Sequence, residues 1–341
     1  MSVPPPRPLS TGRCLRGGRS ASLAAPAVTS RNSFLSLLPG IIADICADPA
    51  TADMHPAVRE HIEKAINYNI VGGKLNRGIS VPVTFSLLRP GSPAARLREA
   101  ALLGWTVEFL QAFFLVADDI MDGSETRRGQ PCWFRQDEVG LTAFNDSIIL
   151  ETCVYTVLRQ HFRLEACYPR LLEDLLLSTR ITTYGQALDL SSAAEYARVR
   201  GRQGSLDPFT MERYSGIVRY KTSHYSFVLP VHLAMRLAGV QEEGLYQQAA
   251  AILFDIGHYA ELLALRILWH AEILDVAAGS GILSAPVPES LRAASLARRQ
   301  LWPPGGSFGL AAGPDWFGLV RDPGLRPITE AALKEKCFII E

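Results

Sequence analysis

The sequence is short of net charge, of paired cysteines and of long apolar runs. It carries 34 basic and 34 acidic residues, so no overall field draws it to nucleic acid or to an anionic membrane. Its 6 cysteines include no CxxC pair, which indicates reduced thiols rather than a disulfide framework. The central apolar run Ala112–Ala117 ends at two aspartates and is too short to span a bilayer. We therefore expect no nucleic-acid partner and no transmembrane segment.

Acidic residues are missing from the N-terminus. Positions 1–33 contain arginines among Ser, Ala, Pro and Gly, and the first acidic residue is Asp44. An arginine-rich and serine-rich start without acids is typical of a mitochondrial transit peptide. Prolines at positions 4, 5, 6 and 8 weaken the helix that such a peptide needs, so a disordered leader without targeting is the alternative. The sequence therefore predicts a cytoplasmic protein, or a mitochondrial one if the leader acts as a transit peptide.

Helical periodicity dominates the chain from Ser33 to Tyr259, and no strand-type alternation competes with it. The predicted helices are Phe34–Cys46 with Ser33 as its N-cap, Pro56–Asn69, Ala94–Asp122, Asp146–Arg163, Tyr168–Leu190, Asp207–Leu237 with a bend near Pro230, and Glu242–Tyr259. The helix Ala94–Asp122 is apolar nearly all round, which is typical of a helix inside a bundle. The sequence therefore predicts an all-α helical bundle.

The composition changes after this series of helices. Ala260–Ala278 can still form a helix, but glycines and prolines then recur as far as Pro327. Such a density of helix-breaking residues leaves little room for long helices. The predicted organisation is a leader over 1–33, a helical domain over 34–278, and an irregular Gly/Pro-rich tail over 279–341.

Three carboxylates end the apolar helix, in the motif Asp118-Asp119-Ile120-Met121-Asp122. Their side chains fall within an arc of about 100° on a helix, and like charges so close together are stabilised by a cation. Mg²⁺ prefers oxygen ligands and usually binds one or two carboxylates together with substrate phosphates. We therefore predict a magnesium site at this motif. A solvated acidic helix end is the alternative, because short motifs also occur by chance.

Other segments carry side chains of the kinds that hold phosphate groups or their metal ions. They are Lys74 and Arg77 in a glycine-bounded segment, Arg127 and Arg128 directly after the acidic motif, Gln186 and Asp189 on one helical face, and Lys221 with Thr222. Arginine binds phosphate oxygens bidentately, and glycine-rich backbone can approach a phosphate closely. Ordinary salt bridges are the alternative for the arginines. Together these residues predict a site for a magnesium-bound diphosphate beside a second phosphate group.

Apolar side chains precede the acidic motif on the same helix. Phe114 lies four residues before Asp118, about 6 Å down the helix, and Gln111 lies about two turns down. Phe113 and Phe114 could form the floor of a hydrocarbon tunnel below the diphosphate. Plain core packing explains phenylalanines at helical spacing equally well.

Four segments resemble animal farnesyl diphosphate synthases, in the same order along the chain. They are GGKLNRG, FLQAFFLVADDIMDGSETRRGQPCW, GQALDL and YKTSHYSF. The resemblance extends from about Phe34 to Tyr259. It implies the helical bundle of the trans-isoprenyl diphosphate synthases, built around a central cavity, and a homodimer. It also implies a prenyltransferase that joins dimethylallyl or geranyl diphosphate to isopentenyl diphosphate, with Mg²⁺ as cofactor.

The same resemblance implies a role for each candidate residue. Asp118, Asp119 and Asp122 look like the ligands of magnesium on the allylic diphosphate. Arg127, Lys221 and Thr222 look like contacts to that diphosphate, and Asp118, Asp122 and Lys221 like its catalytic residues. Lys74, Arg77, Gln111 and Arg128 look like contacts to isopentenyl diphosphate. Phe113 and Phe114 look like the floor that limits the product to fifteen carbons.

The resemblance fails after Tyr259, where the family continues with a glutamine and a second DDxxD motif. Here Glu261, Glu272 and Asp275 do not form such a motif. The C-terminal part of the bundle is therefore expected to be incomplete and turnover to be impaired. A non-catalytic paralogue or isoform that binds prenyl diphosphates is the alternative. A terpene synthase is disfavoured, because a cyclase needs no second diphosphate site and hence no Lys74, Arg77 and Arg128.

Overall fold

The computed structural model describes residues 29–199 and 210–279, with side chains as far as Glu261. Most of the predicted leader and almost all of the predicted tail lie outside the described residues. The side chains of Glu272 and Asp275 lie outside them as well.

The fold is all-α, as predicted. Its helices are α1 (Arg31–Leu35), α2 (Leu38–Cys46), α3 (Pro56–Ile70), α4 (Asn76–Leu88), α5 (Ala94–Asp122), α6 (Ala143–Phe162), α7 (Tyr168–Val199), α8 (Met211–Ile217), a π-helix (Val218–Val228), α9 (Leu229–Leu237) and α10 (Glu243–Gly279). Short 3₁₀ turns lie at Pro49–Thr51, Trp133–Arg135 and Gly140–Thr142. A small antiparallel hairpin of β1 (Thr126–Arg127) and β2 (Gln130–Pro131) follows α5.

Helix α5 forms the centre of the bundle, and its bounds match the predicted Ala94–Asp122. It follows Pro93 and ends at Gly123, whose positive φ of 63° closes the helix in the left-handed conformation. By length and composition it could cross a membrane, but 78% of its most apolar window is buried inside the protein. It is therefore a core helix surrounded by other helices.

Helices α4 and α5 cross with their backbones in direct contact. A Cβ atom at Gly104 would lie 2.2 Å from the carbonyl oxygen of Gly78, so only glycine fits there. The Phe34 ring covers the crossing and stacks on Trp105, with 4.6 Å between ring centroids. This close approach fixes the N-terminal turn of α4 against the middle of α5.

The first predicted helix, Phe34–Cys46, is wrong in its continuity and in its N-cap. The structure has two helices there, because Pro39 cannot donate the hydrogen bond that a continuous helix needs. Ser30, rather than Ser33, caps α1, and its side chain accepts a hydrogen bond from the backbone N–H of Ser33.

The segment around Lys221 is a π-helix of 11 residues. The sequence predicted one helix with a bend near Pro230, but the irregular turns precede that proline. Neighbouring helices press on the π-helix at two glycines: a Cβ atom at Gly185 would lie 2.1 Å from the Lys221 nitrogen, and one at Gly257 2.3 Å from Ser223 Oγ. Helices α7 and α10 therefore hold Lys221 and Ser223 at backbone distance.

Candidate functional site

An acidic cluster, defined here as Asp118, Asp119, Asp122 and Asp189, surrounds Lys221. The Lys221 Nζ lies 2.6 Å from Asp189 Oδ2 and 3.1 Å from Asp118 Oδ1. Gln186 Nε2, one turn before Asp189 on α7, donates a hydrogen bond of 2.9 Å to Asp118 Oδ1. The close approach at Gly185 explains this arrangement, since it sets the register between α7 and the π-helix. The structure thus brings together predicted residues from three helices.

Asp119 differs from its neighbours because Arg127 holds its carboxylate. The Arg127 Nε lies 2.9 and 3.0 Å from the two Asp119 oxygens, and its Nη2 lies 2.6 Å from Oδ1. Burial alone would lower the pKa of Arg127, but its bonds to Asp119 raise it overall. Asp119 is buried, and a metal-binding role for it remains a prediction. Its observed contacts fix Arg127 beside Asp118, 3.5 Å from Oδ2.

The acidic cluster carries more negative charge than its cations balance. The pKa of Asp122 is raised, first by partial burial and then by the charge of Asp118, with Asp189 adding to the effect and Lys221 opposing it. Among the residues that the structure describes, no three acidic, histidine or cysteine side chains are close enough to enclose a metal ion. Lys221 lies where the carboxylates converge. The donor chemistry nevertheless fits Mg²⁺, because these are oxygen ligands with surplus charge.

A basic cluster, defined as Lys74, Arg77 and Arg128, lies at the N-terminus of α4. Arg77 Nε donates a 2.9 Å hydrogen bond to Ser226 Oγ of the π-helix, and its guanidinium lies 5.0 Å from the centre of the Tyr225 ring. Arg128 Nη1 donates to the backbone oxygens of residues 69 and 70 at the end of α3, at 3.0 and 3.3 Å. The hairpin therefore sends Arg127 to the acidic cluster and Arg128 to the basic one.

Two left-handed residues hold this basic cluster in place. Within residues 29–199 and 210–279, Leu75 and Arg128 are the non-glycine residues with positive φ, at 59° and 54°. Leu75 immediately precedes α4, and Arg128 begins the turn of the hairpin. Strained backbone of this kind costs about 1–3 kcal/mol per residue and persists where the surroundings enforce it.

Glu108 is a site residue that the sequence analysis missed. It is buried on α5, and its Oε1 accepts a hydrogen bond of 2.6 Å from the backbone N–H of Gly78. Burial raises the pKa of Glu108, while the Gly78 N–H and the charges of Arg77 and Arg128 oppose that rise. A signal was available, since an acidic residue inside the apolar run of α5 needs a partner. That partner is the first turn of α4.

Aromatic rings connect the two clusters. Phe114 lies 4.8 Å from Phe113 and 5.6 Å from Tyr225, measured between ring centroids. Since Arg77 lies over Tyr225, the rings form a continuous apolar wall from α5 to the basic cluster. Gln111 is buried on α5, one turn before these phenylalanines. The chain-length role of Phe113 and Phe114 remains a prediction.

Glu261 also faces the site, although the sequence analysis set it aside. Its carboxyl group accepts a hydrogen bond from the Thr222 side chain and lies within the influence of Arg77, Lys221 and His258. Burial raises the pKa of Glu261, and these neighbours oppose the rise. Because the missing motif was sought as a DDxxD, a single glutamate gave no signal.

Comparisons with known proteins agree with this architecture. The polyprenyl synthetase family matches residues 59–261. Farnesyl pyrophosphate synthase of Kluyveromyces lactis is 42% identical over 238 residues, which is 68% of this chain and 66% of the relative. The Gallus gallus farnesyl pyrophosphate synthase is 42% identical over 237 residues, 68% of this chain and 62% of the relative.

A solved structure gives the same result for the fold. Farnesyl diphosphate synthase of T. brucei complexed with risedronate aligns with a TM-score of 0.60 and 29% sequence identity, over 67% of each chain. The chain spans just under two thirds of the length of the Kluyveromyces lactis and Gallus gallus relatives. The helical fold, the motifs and these matches lead to one conclusion: the chain belongs to the polyprenyl synthetase family.

Proposed function

We propose that this protein is a magnesium-dependent trans-prenyltransferase that condenses dimethylallyl or geranyl diphosphate with isopentenyl diphosphate to farnesyl diphosphate. One observation carries the proposal: the acidic and basic clusters meet on a single π-helix. Lys221 of that helix contacts Asp118 and Asp189, and Ser226 contacts Arg77. A reaction between two diphosphates needs two anion sites at such a distance, separated by an apolar wall.

The allylic diphosphate belongs at the acidic cluster. Asp118 and Asp122 would hold Mg²⁺, and Asp119 would hold Arg127 rather than the metal. Arg127, Lys221 and Thr222 then donate to the phosphate oxygens, since Arg and Lys stabilise transferring phosphate groups electrostatically. Gln186 and Asp189 orient Asp118 and Lys221 through the contacts already described. These residues supply binding and orientation.

The isopentenyl diphosphate belongs at the basic cluster. Lys74, Arg77 and Arg128 would bind its phosphate groups, with Gln111 on the inner side. Phe113 and Phe114 would limit the growing hydrocarbon. This assignment is supported by the chain of contacts from Phe114 through Tyr225 to Arg77.

The reaction follows from this arrangement. Mg²⁺, when bound, neutralises negative charge on the departing pyrophosphate. Lys221 and Arg127 stabilise the same charge as the allylic carbon–oxygen bond breaks. The double bond of isopentenyl diphosphate then forms the new carbon–carbon bond with the allylic cation, and the pyrophosphate takes up the proton that the product loses. The aromatic side chains exclude water, which would otherwise trap the cation.

The test is an assay with purified protein, Mg²⁺, geranyl diphosphate and labelled isopentenyl diphosphate. A labelled C15 diphosphate is expected, formed slowly because the sequence lacks a second DDxxD motif. Calorimetry with an unreactive allylic diphosphate analogue gives an independent readout of the allylic site. Absence of both C15 product and Mg²⁺-dependent analogue binding would contradict the proposal.

A homodimer is part of the same proposal. Leu141, Phe144 and Ile148 are 75%, 63% and 42% exposed, and they follow one another at spacings of three and four residues at the start of α6. An exposed apolar stripe of this kind is typical of a subunit interface. Light scattering should give the mass of a dimer for the natural chain. Phe144→Glu should shift it towards a monomer, whereas Leu164→Glu, at a residue 92% exposed beyond α6, should not.

A further inference from the structure

Glu261 lies on the face of α10 that packs on the π-helix. One turn earlier, the Cβ position of Gly257 is 2.3 Å from Ser223 Oγ and 3.2 Å from Phe227 Cδ2. The ring of His258 lies edge-on to Tyr214, with 5.8 Å between centroids, and its Nε2 lies 3.4 Å from Ser215 Oγ. These contacts direct this face of α10 towards the π-helix and α8, and hence Glu261 towards Thr222.

The surroundings of Glu261 resemble those of a bound phosphate group. Thr222 of the π-helix donates a hydrogen bond to its carboxylate, and Arg77 of α4 and Lys221 of the π-helix supply positive charge. His258 of α10 adds a group that can become positive. Tyr214 of α8 faces the same place: its buried hydroxyl lacks a partner, and burial together with the Glu261 charge raises its pKa to about 12. A hydroxyl and several cations are the donors that phosphate oxygens select.

We propose that Glu261 is an internal competitor of the diphosphate ligand at Lys221 and Thr222. In the free protein its carboxylate takes the hydroxyl and the positive charge that the ligand would use. The ligand binds only when it displaces this carboxylate. The inference rests on the proposed function in one respect, namely that the same cations receive a diphosphate.

Electrostatics gives the expected direction. A carboxylate and a phosphate group cannot share one set of donors, because like charges brought together cost several kcal/mol. Glutamine has the shape of glutamate and still accepts a hydrogen bond from Thr222, but it carries no charge. Glu261→Gln should therefore keep the local structure and remove the competition.

The experiment measures the affinity for inorganic pyrophosphate by calorimetry at a fixed Mg²⁺ concentration. At pH 8, Glu261→Gln is expected to bind pyrophosphate about tenfold more tightly than the natural chain, or more. Asp255→Asn is the matched control, because it removes one negative charge from the exposed side of the same helix. Screening by salt should limit its effect to about twofold or less. Equal thermal unfolding of both variants checks that they fold.

The pH dependence gives a second readout. Burial raises the pKa of Glu261, so its carboxylate becomes charged as pH rises through that raised value. The affinity difference between the natural chain and Glu261→Gln should therefore shrink as pH falls. Titration of pyrophosphate itself affects both proteins alike and cancels in this comparison.

Each outcome decides the proposal. Equal or weaker binding by Glu261→Gln would overturn it, as would an equal gain in Asp255→Asn. Absence of pyrophosphate binding in every variant would overturn it together with the proposed function. Tighter binding by Glu261→Gln without any C15 product would support Glu261 as a competitor while contradicting the proposed function.

Discussion

The acidic and basic clusters hold their charges in opposite ways. In the acidic cluster, side chains hold one another, and Lys221 alone bridges Asp118 and Asp189. In the basic cluster, backbone groups hold the side chains: Arg128 donates to the end of α3, and Glu108 binds the N–H of Gly78. The first arrangement can exchange its cation, because only side chains must move. The second is preorganised, because its contacts are built into helix ends.

This difference assigns different tasks to the two halves of the site. A cluster with surplus negative charge gains from an incoming divalent cation, so it suits a ligand that arrives with its metal. A cluster of arginines anchored to backbone suits a phosphate that binds without metal. The comparison predicts that substitutions in the acidic cluster change Mg²⁺-dependent binding and that substitutions beside the basic cluster change stability.

The largest expected effect concerns the acidic cluster as a whole. It can stabilise the departing pyrophosphate on one side, while the sequence lacks the second aspartate motif that would act on the other. The loss of several kcal/mol of charge stabilisation, at about 1.4 kcal/mol per tenfold, lowers turnover by about a thousandfold or more. Single-turnover measurements beside the Gallus gallus enzyme check this. Comparable rates would mean that other carboxylates replace the motif.

The second prediction separates Asp118 from Asp119. Asp118→Ala should abolish most of the Mg²⁺-dependent affinity for an allylic diphosphate analogue, a loss of about a hundredfold, because a bound metal contributes several kcal/mol. Asp119→Asn should keep most of that affinity and lower the free energy of unfolding, because its carboxylate holds Arg127 inside the protein. Calorimetry and denaturant unfolding of both variants provide the comparison. An equal loss of metal-dependent affinity would make Asp119 a direct ligand.

These two aspartates also show how far the sequence reaches. Periodicity predicted α5 to the residue, because the apolar run, Pro93 and the Asp118 motif define it without tertiary information. It left α4 as a glycine-bounded segment, because Pro82 and two glycines obscure the helical pattern. Which aspartate binds Arg127 depends on a hairpin whose turn has positive φ, and no helical spacing encodes that.

Long-range contacts account for the remaining differences. The π-helix arises where Gly185 and Gly257 approach it, and each lies far from it in sequence. Glu108 is 30 residues from its partner Gly78. A pattern read along one helix reports which face is buried, but the group it meets there is decided by packing. The site residues predicted from motifs were therefore found together, and those defined by packing were missed.

The third prediction tests the register between α7 and the π-helix. Gly185→Ala places a methyl group 2.1 Å from the Lys221 nitrogen, so the helices must separate. We expect a loss of about 3 kcal/mol in the free energy of unfolding, as overpacking typically causes. Gly244→Ala is the control, since nothing lies within 4 Å of its Cβ position at the start of α10. Urea denaturation of both variants checks this, and similar values would argue against a tight contact at Gly185.

The fourth prediction concerns the buried acid of the basic cluster. Glu108→Ala leaves the Gly78 N–H without an acceptor and should cost about 2 kcal/mol of unfolding free energy. Glu108→Gln keeps the acceptor and should recover much of that loss. It removes the negative charge beside Arg77 and Arg128, however, so pyrophosphate should bind more tightly to it than to the natural chain. Unchanged stability in Glu108→Ala would show that α4 does not depend on this bond.

The smallest effect on rate is expected at the apolar wall between the clusters. Shortening Phe113 and Phe114 together to Ala removes the rings that contact each other and, through Phe114, Tyr225. In a chain supplied with a second aspartate cluster, this should extend the products beyond C15 with less than about a tenfold change in rate, because no charged contact is lost. Phe114 should matter at least as much as Phe113, since its ring alone connects to the ring that carries Arg77. Chromatography of the labelled products from the double and single variants provides the measurement. Unchanged C15 output from the double variant would reduce both phenylalanines to core packing and leave the two clusters without a shared tunnel.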